Sequence, residues 1–251
     1  MPEVLSLYWW LAFVCTMLIG FTKSGIAGLG ILTVPFMAFL FKGGQSTGVL
    51  LPLLLAGDVM AMLFWRKHAL WRHLRDIIPV AFAGIILGWL VIRLYCPSER
   101  MFSASIGMIV LCMLFTGKFL EYRKDNFSLS KNFAYLIGIL AGFTTMVANA
   151  AGPIFVMYLL LLQLPKKEFA GTNAVAFLIL NAVKLPFSWD LGFITSDTLY
   201  LNMTLLPAIP IGAWLGKFAL TRISQNVFIS IVRFMTLIAA LELIFDIKTL
   251  L

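Results

Sequence analysis

The sequence predicts an all-α polytopic membrane protein made of two inverted-topology repeats, each of about five transmembrane or re-entrant helical segments. Three observations predict it. Apolar residues make up 61% of the 251-residue chain and charged residues only 12%, too few to solvate the surface of a soluble domain. The apolar residues fall in runs of roughly 17–22 between short polar breaks, the length a helix needs to cross a hydrocarbon core about 30 Å thick. The order of those runs, and several of their residues, occur twice. A β-barrel would show strands of ~10 alternating residues, and no segment alternates in that way.

The first set of segments comprises Leu5–Thr22, Ile26–Phe41, Thr47–Trp65, Ile77–Leu94 and Phe102–Phe119. The opening stretch MPEVLSLYWW has Glu3, no basic cluster and no small-residue cleavage site after it, so the first helix is expected to be retained and not removed as a signal peptide. A charged loop, Leu120–Asn132, separates this set from Phe133–Val147, Ile154–Leu162, Phe169–Trp189, Thr198–Leu220 and Val227–Phe245. The expected repeats are residues 1–125 and 126–251. The first two segments of each, Ile154–Leu162 above all, are short enough to be half-helices of a re-entrant hairpin, and full crossings remain an alternative.

Residues match as well as segments. Gly20-Phe21-Thr22 opens a small-residue stretch in the first repeat, and Gly142-Phe143-Thr144 opens one in the second. Pro79, Gly84 and Gly88 have the spacing P-x4-G-x3-G, which Pro207, Gly212 and Gly216 reproduce. Aligning Thr47-Gly48 with Ala170-Gly171 places Asp58 opposite Asn181 and Phe64 opposite Phe187.

Arginine and lysine placement gives the orientation. Arg66, Lys67, Arg72 and Arg75 put the loop from Arg66 to Asp76 in the cytosol, as do Arg123, Lys124 and Lys131 for the central loop and Lys166-Lys167 for the next turn. The loop Ser188 to Asp197 carries Asp190, Asp197 and no base, so it faces outward, and both termini follow it outside. Five segments per repeat then invert the second repeat, an arrangement found in many secondary transporters. The net charge of +8 sits in these loops and helix ends, so the sequence predicts no nucleic-acid partner. Cys15, Cys96 and Cys112 are widely spaced and receive no chemistry. No H-E-x-x-H or G-x-S-x-G pattern points to an intramembrane enzyme, and the histidines His68 and His73 lie in a basic loop. No catalytic residue, metal or cofactor is expected.

Two stretches interrupt the apolar scaffold, GFTKSGIAGLGILTVP at 20–35 and GFTTMVANAAGP at 142–153. Backbone that leaves a helix at membrane depth survives only when buried in protein or lining a wet cavity. A helix restarting after such a break aims free N–H groups and its positive dipole end into that space, which suits an anion. The rival reading is that the small residues let helices approach closely, or form a plain tight loop. Paired interruptions in the two repeats favour a binding site.

Four ionisable residues lie in or near apolar runs: Asp58, Lys184, Arg233 and Glu242. Lys184 and Arg233 are long enough to snorkel to the interface, and Glu242 is near a helix end. Asp58 is short and cannot. Asn181 precedes Lys184 by three residues on the same helical face, so polar contacts are expected between the third and eighth segments. A carboxylate in this setting suits proton coupling, and a structural ion pair would look the same in sequence. Pro35, Pro52, Pro79, Pro153, Pro186, Pro207 and Pro210 are expected to fix bends.

These stretches resemble the sulfite exporter TauE/SafE family, also called TSUP, over nearly the whole chain. GFTKSGIAGLGILTVP is similar to that family's opening glycine-rich motif, and GFTTMVANAAGP followed by IFVMYLL to its repeat. The resemblance implies a secondary transporter of the cell (inner) membrane that exports small sulfur-containing or organic anions such as sulfite, thiosulfate and sulfonates. It carries over Gly20, Gly25, Gly28, Gly30 and Pro35, with Asn149, Gly152 and Pro153. On this reading Lys23 and backbone N–H groups bind the anion with Asn149 as a neutral donor, and Ser24 and Asn173 complete the candidate site. Rocking of one half against the other alternates access. An anion channel of the same architecture is the alternative. The partners expected are the anion and the lipid bilayer, with protons or another coupling ion and a homodimer left open.

Overall fold

The computed structural model describes residues 6–26, 33–41, 44–95 and 131–245. These form helices α1 (Leu7–Ser24), α2 (Thr33–Leu40), α3 (Gly44–Trp65), α4 (Trp71–Tyr95), α5 (Lys131–Ala148), α6 (Ala151–Leu161), α7 (Lys166–Asp190), α8 (Ser196–Leu205), α9 (Ala208–Arg222) and α10 (Gln225–Phe245), with no strand among the described residues. A 3-10 turn, Arg66–His68, joins α3 to α4. Gly28, Gly30, Cys96, Cys112, the expected segment Phe102–Phe119 and most of the central loop lie outside the described residues.

Local chemistry sets the helix ends. Ser6 caps α1 by accepting the Trp9 N–H, and Gly25 closes it with its own N–H on the Phe21 carbonyl. Pro165 precedes α7, and Thr195 opens α8 with a reciprocal side-chain and backbone capping pair to Thr198. Helix α4 begins at Trp71, ahead of the expected Ile77, because Arg72 and Arg75 point outward while Leu74 and Ile77 are buried on its inner face.

The segment expected at Thr198–Leu220 is two helices, α8 and α9, bent by 50° at their junction. The cause is Pro207, which has no N–H to continue the ladder and whose ring excludes the preceding turn. Pro210 then falls in the first turn of α9, where its missing donor is not needed.

Four helices are long and apolar enough to cross a membrane, and the bent α8–α9 pair makes up to five. Apolar side chains such as Val14, Leu87, Met203 and Trp214 stand exposed on their outer faces, where lipid solvates them. The chain is thus a multi-pass helical membrane protein. At 1.5 Å per residue, α2 and α6 are only about 12 and 16 Å long, half of a bilayer core. Helix α6 is buried on every side, from Pro153 through Leu160, as a helix apolar all round must be when it is wrapped by protein.

Two seams hold the helices together. Helix α1 lies along α9, and α4 along α5. A Cβ added at Gly20 would lie 2.3 Å from the Ile209 carbonyl oxygen, and one at Gly212 only 1.8 Å from that of Met17. In the other seam, a Cβ at Gly142 would lie 1.9 Å from the Ala81 oxygen and one at Gly84 2.2 Å from that of Ile139. Each seam thus joins a GFT helix of one sequence half to the P-x4-G-x3-G helix of the other. Lipid tails are as apolar as leucine, so such close backbone packing is what drives helices together here. At these glycines the close-packing reading of the small residues is the observed one. Between the seams, α3 packs on α7.

A candidate anion site at the α3–α7 junction

Helix α7 carries Asn173, Phe177, Asn181, Lys184 and Ser188 at steps of three and four residues, so all stand on one face. Each of them is buried. The last turn of α1 delivers Lys23 to this face, and α3 delivers Asp58.

Asp58 is completely buried. Its Oδ1 lies 2.7 Å from the Lys23 ammonium, and its Oδ2 accepts a 2.6 Å hydrogen bond from Asn181 Nδ2. The Lys23 ammonium also sits 4.4 Å from the centroid of the Phe177 ring, an attraction that strengthens away from water. The expected contact between Asp58 and Asn181 is therefore present, and the cation that completes it comes from α1.

Lys184 does not reach the lipid interface as a snorkelling side chain would. It is fully buried, and its ammonium donates to the Thr145 carbonyl at 2.8 Å and to Asn149 Oδ1. Sequence periodicity placed it on the Asn181 face but did not say that this face meets α5. Asn149 turns its amide nitrogen to Thr47 Oγ1 at 3.3 Å. One chain of contacts thus links α3, the α5–α6 break and α7.

The second break is built from ordinary helix-end geometry. Asn149 has a φ of 53°, the left-handed region that asparagine tolerates better than most residues. The Asn149 and Ala150 N–H groups donate back to the Thr145 and Thr144 carbonyls, closing α5 as a Schellman turn. Helix α6 then starts at Ala151 with no side-chain cap. Its first N–H groups lack intrahelical acceptors by geometry, and a Cβ added at Gly152 would meet nothing within 4 Å. The start of α6 is thus bare and has room beside it.

At the first break, the Ser24 carbonyl accepts a 2.7 Å bond from Trp65 Nε1. Buried Ser24 Oγ and Asn173 Oδ1 have no hydrogen-bond partner among the described residues. Gly25 is a packing residue, because a Cβ there would strike the Gly216 backbone at 2.5 Å. Sequence reasoning missed Phe177, Thr47 and the Thr145 carbonyl. Phe177 was findable, four residues before Asn181 on the same face, and Thr145 occupies the repeat position of Lys23.

A family model described as sulfite exporter TauE/SafE matches residues 12–243. The chain belongs to the sulfite exporter TauE/SafE family. Among curated proteins and among solved structures, nothing matches it. Membership in the TauE/SafE family makes it a membrane transporter of the sulfite and anion exporter kind, with a small anion as substrate and lipid around its apolar helices.

Proposed function

We propose that this protein is a secondary transporter exporting small anions of the sulfite, thiosulfate and sulfonate class across the cell membrane by alternating access. The observation that carries this reading is a buried polar centre, Lys23–Asp58–Asn181 beside Lys184–Asn149, set against the uncapped start of α6. Charged groups at membrane depth are unfavourable by at least ~2.5–3.5 kcal/mol each on insertion scales, and they mark substrate pathways when they persist. The anion would lie beside Gly152 at the bare α6 N–H groups, with Asn149, Ser24 and Asn173 around it. Gly25 shapes the approach of α1 to α9, and Gly28 and Gly30 continue the first break.

Lys23 takes a different role from the one its sequence position suggested. Its charge is already met by Asp58, so it holds the carboxylate and Phe177 in place and does not contact the anion directly. Two inverted repeats, residues 1–125 and 126–251, account for the matching seams, and arginine and lysine placement puts both termini outside. Ion or potential gradients supply the drive.

Uptake of labelled sulfite, thiosulfate, sulfoacetate and simple carboxylates into proteoliposomes, with and without a proton gradient, tests the reading. Saturable accumulation of the sulfur anions above protein-free liposomes is expected. Absence of uptake for every anion overturns it, and conductance far above transporter turnover in a planar bilayer replaces it with a channel.

A further inference from the structure

We infer that Lys184 carries the one uncompensated positive charge of the buried centre and is the counter-ion of the transported anion, so that the site is matched to singly charged anions. This rests on the transport reading above and adds to it the charge class of the substrate.

The charges can be followed group by group. Both oxygens of Asp58 are engaged, one by the Lys23 ammonium at 2.7 Å and the other by Asn181 at 2.6 Å. Lys184 has three donors, and the acceptors it reaches, the Thr145 carbonyl and Asn149 Oδ1, are neutral. No carboxylate among the described residues approaches it. The Lys23 ammonium is near enough to repel it, and full burial denies it water. Two ammoniums and one carboxylate leave a single positive charge in a low-dielectric interior. By contrast, Arg93 and Asp190 at the rim form a balanced pair at 3.1 Å that is open to solvent.

A buried ion without a counter-ion is strongly disfavoured, and a partner of opposite charge relieves it. One negative charge neutralises the centre. A second would leave an excess anion in the same dry surroundings, which is the reverse imbalance. The place for the ligand follows from Asn149, which touches Lys184 and stands directly before the bare first turn of α6, where Gly152 leaves open space. An anion there meets the Lys184 ammonium on one side and backbone N–H groups on the other.

The test compares methanesulfonate, a monoanion, with thiosulfate, a dianion, in proteoliposomes of the full chain. Wild type is expected to take up methanesulfonate at least about tenfold faster at equal concentration. Lys184→Gln should lose that uptake, and Lys184→Arg should keep a measurable part of it. Lys23→Gln alone brings the centre to zero charge and should abolish uptake. Adding Asp58→Asn returns the single positive charge and should raise uptake at least about tenfold above the Lys23→Gln level. Preference of wild type for thiosulfate, or undiminished methanesulfonate uptake by monodisperse Lys184→Gln protein, overturns the inference and leaves the transport reading standing. Uptake of neither anion by wild type overturns the transport reading beneath it. If the double variant does not fold, the wild-type preference and the two Lys184 variants still decide the question.

Discussion

Asp58 holds two groups that come from distant parts of the chain, the Lys23 ammonium and the Asn181 amide. Removing a carboxylate from such a pair leaves an ammonium buried without its counter-ion, which typically destabilises by about 3–5 kcal/mol. Asp58→Ala is therefore expected to lower the thermal unfolding temperature of the detergent-solubilised protein far more than Arg93→Ala, whose partner Asp190 is half exposed. Equal shifts for the two variants would show that the Lys23–Asp58 pair contributes no more than a surface pair. The Asp58–Asn181 contact was legible in sequence because the repeat alignment and a helical period of three to four residues put Asn181 and Lys184 on one face. The burial of Lys184 was not legible. A lysine late in an apolar run reads equally well as one that snorkels, and only the packing of α7 against its neighbours excludes the interface.

At the scale of the helix, glycines of similar appearance do opposite work. A Cβ at Gly142 or Gly212 would fall within 2 Å of a backbone oxygen, at 1.9 and 1.8 Å, and backbone cannot yield as a side-chain end does. Gly142→Ala and Gly212→Ala should each destabilise by about 1–3 kcal/mol or more through forced separation of the seams. Gly152 faces open space in a helical conformation, so Gly152→Ala should leave stability unchanged or raise it by about 0.4–1 kcal/mol while reducing anion uptake. Thermal unfolding and proteoliposome uptake measured on the same preparations separate the two classes; a destabilised Gly152→Ala protein would contradict the space seen beside α6. Apolar run length made most helices legible, including the short α6. It missed the α8–α9 break, because Leu206 and its neighbours keep the run apolar while Pro207 alone interrupts the backbone.

For the whole molecule, arginine and lysine bias sets the Arg66–His68 turn in the cytosol and the loop after α7 outside. In a cysteine-free background, cysteine at Asp197 should react with a membrane-impermeant thiol reagent added to intact cells, and cysteine at Lys67 should react only after the cells are opened. The reverse pattern would turn the protein over in the membrane. Membership in the TauE/SafE family was legible from the two glycine-rich stretches, and so was the matching order of segments. How the halves interlock was not, because no local pattern says which partner a glycine will meet.

That interlocking decides what is free to shift during a transport cycle. With α1 clasped to α9 and α4 to α5, the early and late portions of the polypeptide cannot swing apart like two doors. The solid pieces are two-helix staves, each stitched from both ends of the chain, and any gate between them must give way along α3 and α7, where the contacts are polar and can be remade.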